Sequence, residues 1–142
     1  MELWQGQLQR EALLQGLNPA QREAVTWPGG PLLVLAGAGS GKTRVLTARY
    51  LVLVAVHGYR PGRIAAITFT NKAAAEMRER IRSALIALAG RFPALAGAVD
   101  ELALAPIQTI HGFCLRLLRE EPVTAGFTPG FEILEEGEAG LL

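Results

Sequence analysis

The chain carries only two lysines, and each falls in a run of residues whose types suit a phosphate ligand. Lys42 follows Ala36-Gly37-Ala38-Gly39-Ser40-Gly41 and precedes Thr43, while Lys72 follows Thr68-Phe69-Thr70-Asn71. Everywhere else the basic residue is arginine. A phosphate loop uses the ammonium as a compact point charge, which a planar guanidinium does not supply. Gly37, Gly39 and Gly41 allow the backbone to aim its N–H groups at one point, where a side chain would block a phosphate. A helix opening at Lys42 adds the positive end of its dipole and its unpaired amides. Lys42 can then reach the outer phosphates of a nucleotide, and the Thr43 hydroxyl can hold a magnesium ion that bridges them. The strict form of such a loop begins with glycine, and Ala36 stands there instead; a small residue still fits a strand end.

These groups need elements to hold them. Leu32-Leu33-Val34-Leu35 reads as a buried strand leading into the loop. The helix behind it carries Leu46, Tyr50, Leu53 and Val54 at helical spacing and ends near Gly58. Ile64–Phe69 reads as a second strand. The helix after it places Ala74, Met77, Ile81, Leu85 and Leu88 on one side and Glu76, Arg80 and Arg82 off it. Pro106–Ile110 reads as a third strand, and His111-Gly112 open a helix with Phe113, Cys114, Leu117 and Leu118 inward. Residues 1–17 suggest a helix broken by Gly6 and Gly16. Asn18-Pro19 restart a helix as N-cap and first-turn proline, before a turn cluster at residues 27–31. Phe131–Leu134 looks like a further strand, with a helix opening at Glu135-Glu136. Short strands alternating with helices predict an α/β fold with a mainly parallel sheet, whose ligands gather beyond the carboxyl ends of the strands.

The bulk numbers set limits. At 142 residues the chain is one domain at most, and its net charge of +1 argues against a basic nucleic-acid tail, though not against a local basic surface. One cysteine, Cys114, excludes a disulfide or a cysteine metal cluster within the chain. No apolar run is long enough for a membrane span and no signal peptide opens the sequence, so no membrane partner is expected and a reducing cytoplasm is the default. Asp100-Glu101, which holds the chain's only aspartate, invites a magnesium role, but its flanks read as helix rather than as a strongly apolar strand.

Each remaining polar residue has two readings. Gln21 is either the reciprocal arm of a capping box on Asn18 or an amide that pairs with an adenine edge. Thr68, Thr70, Asn71 and Lys72 offer hydroxyls, amides and charge to a phosphate, with Phe69 beside them as a stacking surface for a single nucleic-acid strand. Thr109 and His111 can take a second phosphate of the same strand. The ordinary alternatives are Phe69 as core, Thr70 and Asn71 as caps, and His111 as a helix-start residue.

At this point the residues match a family. Leu17-Asn18-Pro19-Ala20-Gln21 resembles the adenine-reading segment of the superfamily-1 UvrD/Rep/RecB DNA helicases, and Ala36–Thr43 is similar to their P-loop, Ala36 included. Thr68-Phe69-Thr70-Asn71-Lys72-Ala73-Ala74 resembles their first DNA-contacting motif. Thr109-Ile110-His111-Gly112-Phe113-Cys114 resembles the next, in the form common in RecB and AddA relatives. The resemblance implies a RecA-like P-loop NTPase fold and an ATP-dependent DNA helicase or translocase of repair or recombination, including helicase–exonucleases. It implies ATP and Mg2+ as cofactors, with Gln21 on adenine, residues Ala36, Gly37, Ala38, Gly39, Ser40 and Gly41 cradling phosphate, Lys42 and Thr43 on phosphate and magnesium, and Arg44 stacked on the base. It implies single-stranded DNA along Thr68, Phe69, Thr70, Asn71, Lys72, Thr109, His111 and Gly112. Members of the family are much longer, so residues 1–142 are expected to be the N-terminal part of the first motor domain, with 123–142 starting an inserted or following subdomain. The remaining partner would be the rest of the helicase or a subunit of its complex, and the chain alone is not expected to hydrolyse ATP. The rival readings are a small standalone P-loop enzyme and a non-catalytic interaction remnant. A GTPase would need an acid where Asn71-Lys72-Ala73-Ala74 has none.

Overall fold

The computed structural model describes residues 2–133. Its organising element is α4 (Asn71–Arg91), which links strand β1 (Ala66–Thr68) to strand β2 (Ile107–Thr109). The two strands pair in parallel, with Ala66 opposite Ile107 and Thr68 opposite Thr109. The expected face of α4 is the buried one: Ala74, Met77, Ile81, Leu85 and Leu88 lie inside at three- and four-residue steps. Glu76 and Arg80, four apart in an order that suits an ion pair, do not form one. The return path runs through α5 (Ala96–Glu101), where Glu101 pairs with Arg60 at 3.0 Å. Asp100-Glu101 thus ends a helix, as its flanks imply.

Helix α3 (Lys42–Ala55) joins two cores. Tyr50, Leu51 and Val54 meet Met77, Ile81, Leu85, Leu102, Ala105 and Ile107 on one side. Ala48 and Val52 meet Leu17 and Val25 on the other. Those last two belong to the connection after α1 (Glu2–Leu14) and to α2 (Pro19–Thr26). With neighbours on both sides, α3 buries a broader face than its leucine spacing suggests. Leu46, expected inside, is 54% exposed.

Several expectations are corrected. Helix α1 runs through Gly6 without a break; one glycine costs only about 1 kcal/mol against alanine, and Leu13 and Leu14 pack onto the cores. Gly16, at φ 68°, marks the true end. The apolar run before the glycine loop is not a buried strand: Leu33 and Leu35 are 80% and 86% exposed, with Leu32 and Val34 near half that. The alternation is that of a pleated chain, but a strand exists through its ladder, and among the described residues only β1 and β2 pair. Helix α6 (Ile110–Glu120) starts one residue early and packs on β1 and β2. Phe113 and Leu118 are half-buried as expected, whereas Cys114 and Leu117 are exposed, because one contact surface cannot cover the whole apolar side. Phe131–Ile133 is irregular, with Phe131 against Phe127 at 5.0 Å. The helix expected from Glu135 lies outside the described residues.

Candidate functional site

The glycine loop is shaped by its own carbonyls. Gly37 O accepts hydrogen bonds from Ser40 Oγ at 2.6 Å and from Ser40 N at 3.3 Å, which closes a tight turn. Gly39 and Gly41 take φ values of 74° and 82°, a left-handed backbone that favours glycine; Gly37 does not. The Lys42 ammonium folds back over this turn and donates to Ala36 O at 2.8 Å and Gly37 O at 3.0 Å. Gly41 caps α3 with no side chain, so no capping group competes for the first-turn amides. The Thr43 and Arg44 side chains are exposed beside it. Thr43 makes no side-chain hydrogen bond within the described residues, while its carbonyl takes the Thr47 hydroxyl at 2.9 Å.

A cleft of about 350 Å³ opens in front of the loop, lined by Gln21, Val34, Ala36, Gly37, Ser40 and Lys42. Gln21 is the N3 residue of α2, and both halves of the capping box are present. Asn18 Oδ1 accepts from Gln21 N at 2.9 Å, and Gln21 Oε1 accepts from Asn18 N at 3.0 Å. The other end of the same amide donates from Nε2 to Ser40 O at 3.1 Å. Gln21 and the loop therefore share one cleft. Arg44 does not: its guanidinium donates to Gln15 O at 3.1 Å at the end of α1, and it lines a different groove of about 400 Å³ with Leu13, Leu51 and Arg80.

The second and third loops stand side by side, because Thr68 and Thr109 are partners in the parallel ladder. Thr70 caps α4, accepting from Ala73 N at 3.1 Å, and the Thr68 hydroxyl donates to Thr70 O at 3.1 Å. Thr109 caps α6, accepting from Gly112 N at 3.1 Å. A Cβ on Gly112 would lie 3.3 Å from that cap oxygen, a close contact. Phe69 is 100% exposed, so it is not core. Asn71, Lys72 and His111 are exposed as well. Of the three loops, these two sit at the carboxyl ends of paired strands; the glycine loop is not tied into the sheet among the described residues.

Residue types gave no signal for two partners in this arrangement, the carbonyls of Ser40 and Gln15, because every residue has a carbonyl. Among the described residues no three His, Cys, Asp or Glu side chains gather into a metal site, and no helix is long and apolar enough to cross a membrane.

The family described as UvrD/REP helicase N-terminal domain matches residues 17–141. The chain is 46% identical over 126 residues to ATP-dependent DNA helicase PcrA of Bacillus subtilis, covering 89% of this chain and 15% of that protein. It is 50% identical over 123 residues to DNA helicase II of Haemophilus influenzae, covering 87% and 16%. It is 45% identical over 131 residues to ATP-dependent DNA helicase UvrD1 of Mycobacterium tuberculosis, covering 91% and 15%. The chain thus spans about 15% of the length of these relatives. It belongs to the UvrD/REP helicase N-terminal domain family.

Proposed function

We propose that this chain is the nucleotide-phosphate-binding part of an ATP-dependent DNA helicase of the repair and recombination kind, with single-stranded DNA as its track. The observation that carries the reading is the Lys42 ammonium folded over the Gly37–Gly41 turn at the start of α3. A cation held there by two carbonyls is poised to exchange them for phosphate oxygens. Gly39 and Gly41 keep the cradle clear of side chains, and the uncapped amides of α3 supply neutral donors. Magnesium fits the exposed Thr43 hydroxyl, and when bound it neutralises charge on the outer phosphates. Gln21 would present its amide to adenine from the same cleft. Phe69 supports a base by stacking, with Lys72, Thr109 and His111 beside it for the strand's phosphates. The form of the Thr109–Cys114 segment, shared by likeness with RecB and AddA relatives, favours a helicase–nuclease setting, and a DNA motor of this kind works in the cytoplasm.

Turnover is a separate matter. Hydrolysis needs a carboxylate to orient water and further positive charge on the leaving phosphates, an arginine finger alone being worth roughly a thousandfold or more. Asp100 is exposed on α5 and Glu101 is engaged by Arg60, so neither serves as that carboxylate. The 142-residue chain is expected to bind Mg2+–ATP without releasing phosphate, with or without single-stranded DNA. Fluorescence titration with a labelled ATP analogue checks the binding. Lys42→Ala should weaken it by roughly ten- to a hundredfold, the worth of a charge-assisted contact. Unchanged affinity in Lys42→Ala would remove the phosphate reading, and Lys42-dependent phosphate release would remove the binding-only one.

A further inference from the structure

Gln21 is the one side chain from outside the loop and its own helix that hydrogen-bonds the glycine loop among the described residues. Its amide is fixed at both ends. Oε1 is held by the Asn18 N–H within the capping box at 3.0 Å, which leaves Nε2 aimed at Ser40 O at 3.1 Å. The fit is close as well as directional, since a Cβ on Gly41 would lie 2.9 Å from Gln21 Nε2. Gly41 takes the left-handed turn into α3 beside this amide. The chain before the loop gives no comparable support, because residues 32–35 are exposed and unpaired among the described residues.

We infer that Gln21 is a positioning residue for the phosphate loop, a strut that runs from the N-terminus of α2 to the Ser40–Gly41 peptide and holds the loop in its binding shape. The inference rests on the reading of that loop as a phosphate site. It goes beyond base recognition, because it assigns Gln21 to the binding of any polyphosphate, whether or not a base is attached. The physical reason is preorganisation. Amides and an ammonium that converge before the ligand arrives need not be ordered by it, and losing one tie leaves part of that ordering to binding. The size is that of one neutral hydrogen bond, roughly a three- to tenfold loss of affinity.

A ligand with no base separates the two roles. Mg2+–tripolyphosphate, Mg2+–ATP and Mg2+–GTP are titrated calorimetrically into the wild-type chain, into Gln21→Met and into Asn18→Ala. Methionine keeps the length of the side chain without its amide. Asn18→Ala removes the other arm of the capping box and leaves the Nε2–Ser40 contact. Hydrogen–deuterium exchange over residues 37–43 is read in each, and Gln21→Glu is added, because it keeps a capping box yet has no donor for Ser40 O. The expected result is that Gln21→Met weakens all three ligands, ATP most because it also loses the adenine contact, and speeds exchange in 37–43. Gln21→Glu should speed exchange likewise, and Asn18→Ala should change neither reading. If Gln21→Met does not fold, the exchange of Gln21→Glu decides. Loss of ATP binding alone in Gln21→Met, with tripolyphosphate and GTP untouched, overturns the strut and leaves the phosphate reading standing. Equal losses in Asn18→Ala overturn it in favour of helix capping. A wild-type chain that binds none of the three ligands removes the phosphate reading, and the strut with it.

Discussion

Phe69 exposes its whole ring at the carboxyl end of β1, with Lys72 in the first turn of α4. An exposed phenyl ring near a lysine that makes no ion pair among the described residues offers a base a stacking face and its phosphate a charge. Phe69→Ala should therefore weaken single-stranded DNA binding by about 1–3 kcal/mol while leaving the melting temperature nearly unchanged. Fluorescence anisotropy with a labelled oligonucleotide checks this, and a loss of stability in place of affinity would make Phe69 structural. Five of the arginines tie separate segments together, whereas Lys42 bonds only carbonyls of its own loop. Arg22, Arg44, Arg49, Arg78 and Arg116 each donate to a backbone carbonyl elsewhere in the fold, Arg78 to Ile107 O at 2.7 Å. A planar multi-donor group suits the tying of element ends, and a mobile ammonium suits an exchangeable ligand. The choice of lysine at positions 42 and 72 thus has a structural counterpart.

Helix α4 was the most legible element, because 21 residues of strict periodicity outweigh any local ambiguity. Adjacent positions on it provide a test of its orientation. Leu85 is fully buried between α3 and β2, whereas Ile86 is 42% exposed. Leu85→Ala should cost about 2–5 kcal/mol, the transfer term plus a cavity. Ile86→Ala should cost less than about 1 kcal/mol. Denaturant midpoints of the two variants measure the difference, and equal losses would mean that the helix is rotated. The caps were legible too. Asn18 and Thr70 each hold the amide three residues on, as their types and positions imply; Thr109, expected on a phosphate, does the same, while Asn71, the other expected cap, is the first residue of α4. Helix α6 was less legible, because periodicity shows which side is apolar and not how much of it a neighbour covers.

Across the whole molecule, α3 ties the two cores together, and Tyr50 lies at the centre of its buried face at 3% exposure. Its hydroxyl donates to Pro61 O at 3.3 Å, and burial pushes its pKa up to about 12. The folded protein therefore holds this proton more tightly than the unfolded chain does. The resulting stability is intact below the ordinary tyrosine value near 10 and is lost as pH rises from there through about 12. The loss should reach on the order of 2–3 kcal/mol. Denaturation at pH 9 and at pH 11.5 should show the wild type falling and Tyr50→Phe nearly level in this contribution. Parallel decline in both would place the alkaline transition elsewhere.

The sequence by itself determined whatever depends on neighbours along the chain. Glycines at 37, 39 and 41 with lysine and threonine behind them specified the turn and the helix start, and Thr70-Asn71 and His111-Gly112 specified two more to within a residue. Spacing specified the buried face of α4, and the alternation of short strands with helices specified a parallel α/β arrangement. Tertiary structure decided what depends on neighbours across space. Residues 32–35 are apolar enough for a buried strand, yet a strand needs a ladder partner, and among the described residues none pairs with them. Phe69 was equally consistent with core and with stacking until its exposure was known. Gln21 and Arg44 are a further case, which the family resemblance puts near one ligand. The fold sends Gln21 to the Ser40 carbonyl and Arg44 to the Gln15 carbonyl on another groove, and a backbone acceptor leaves no mark in residue type.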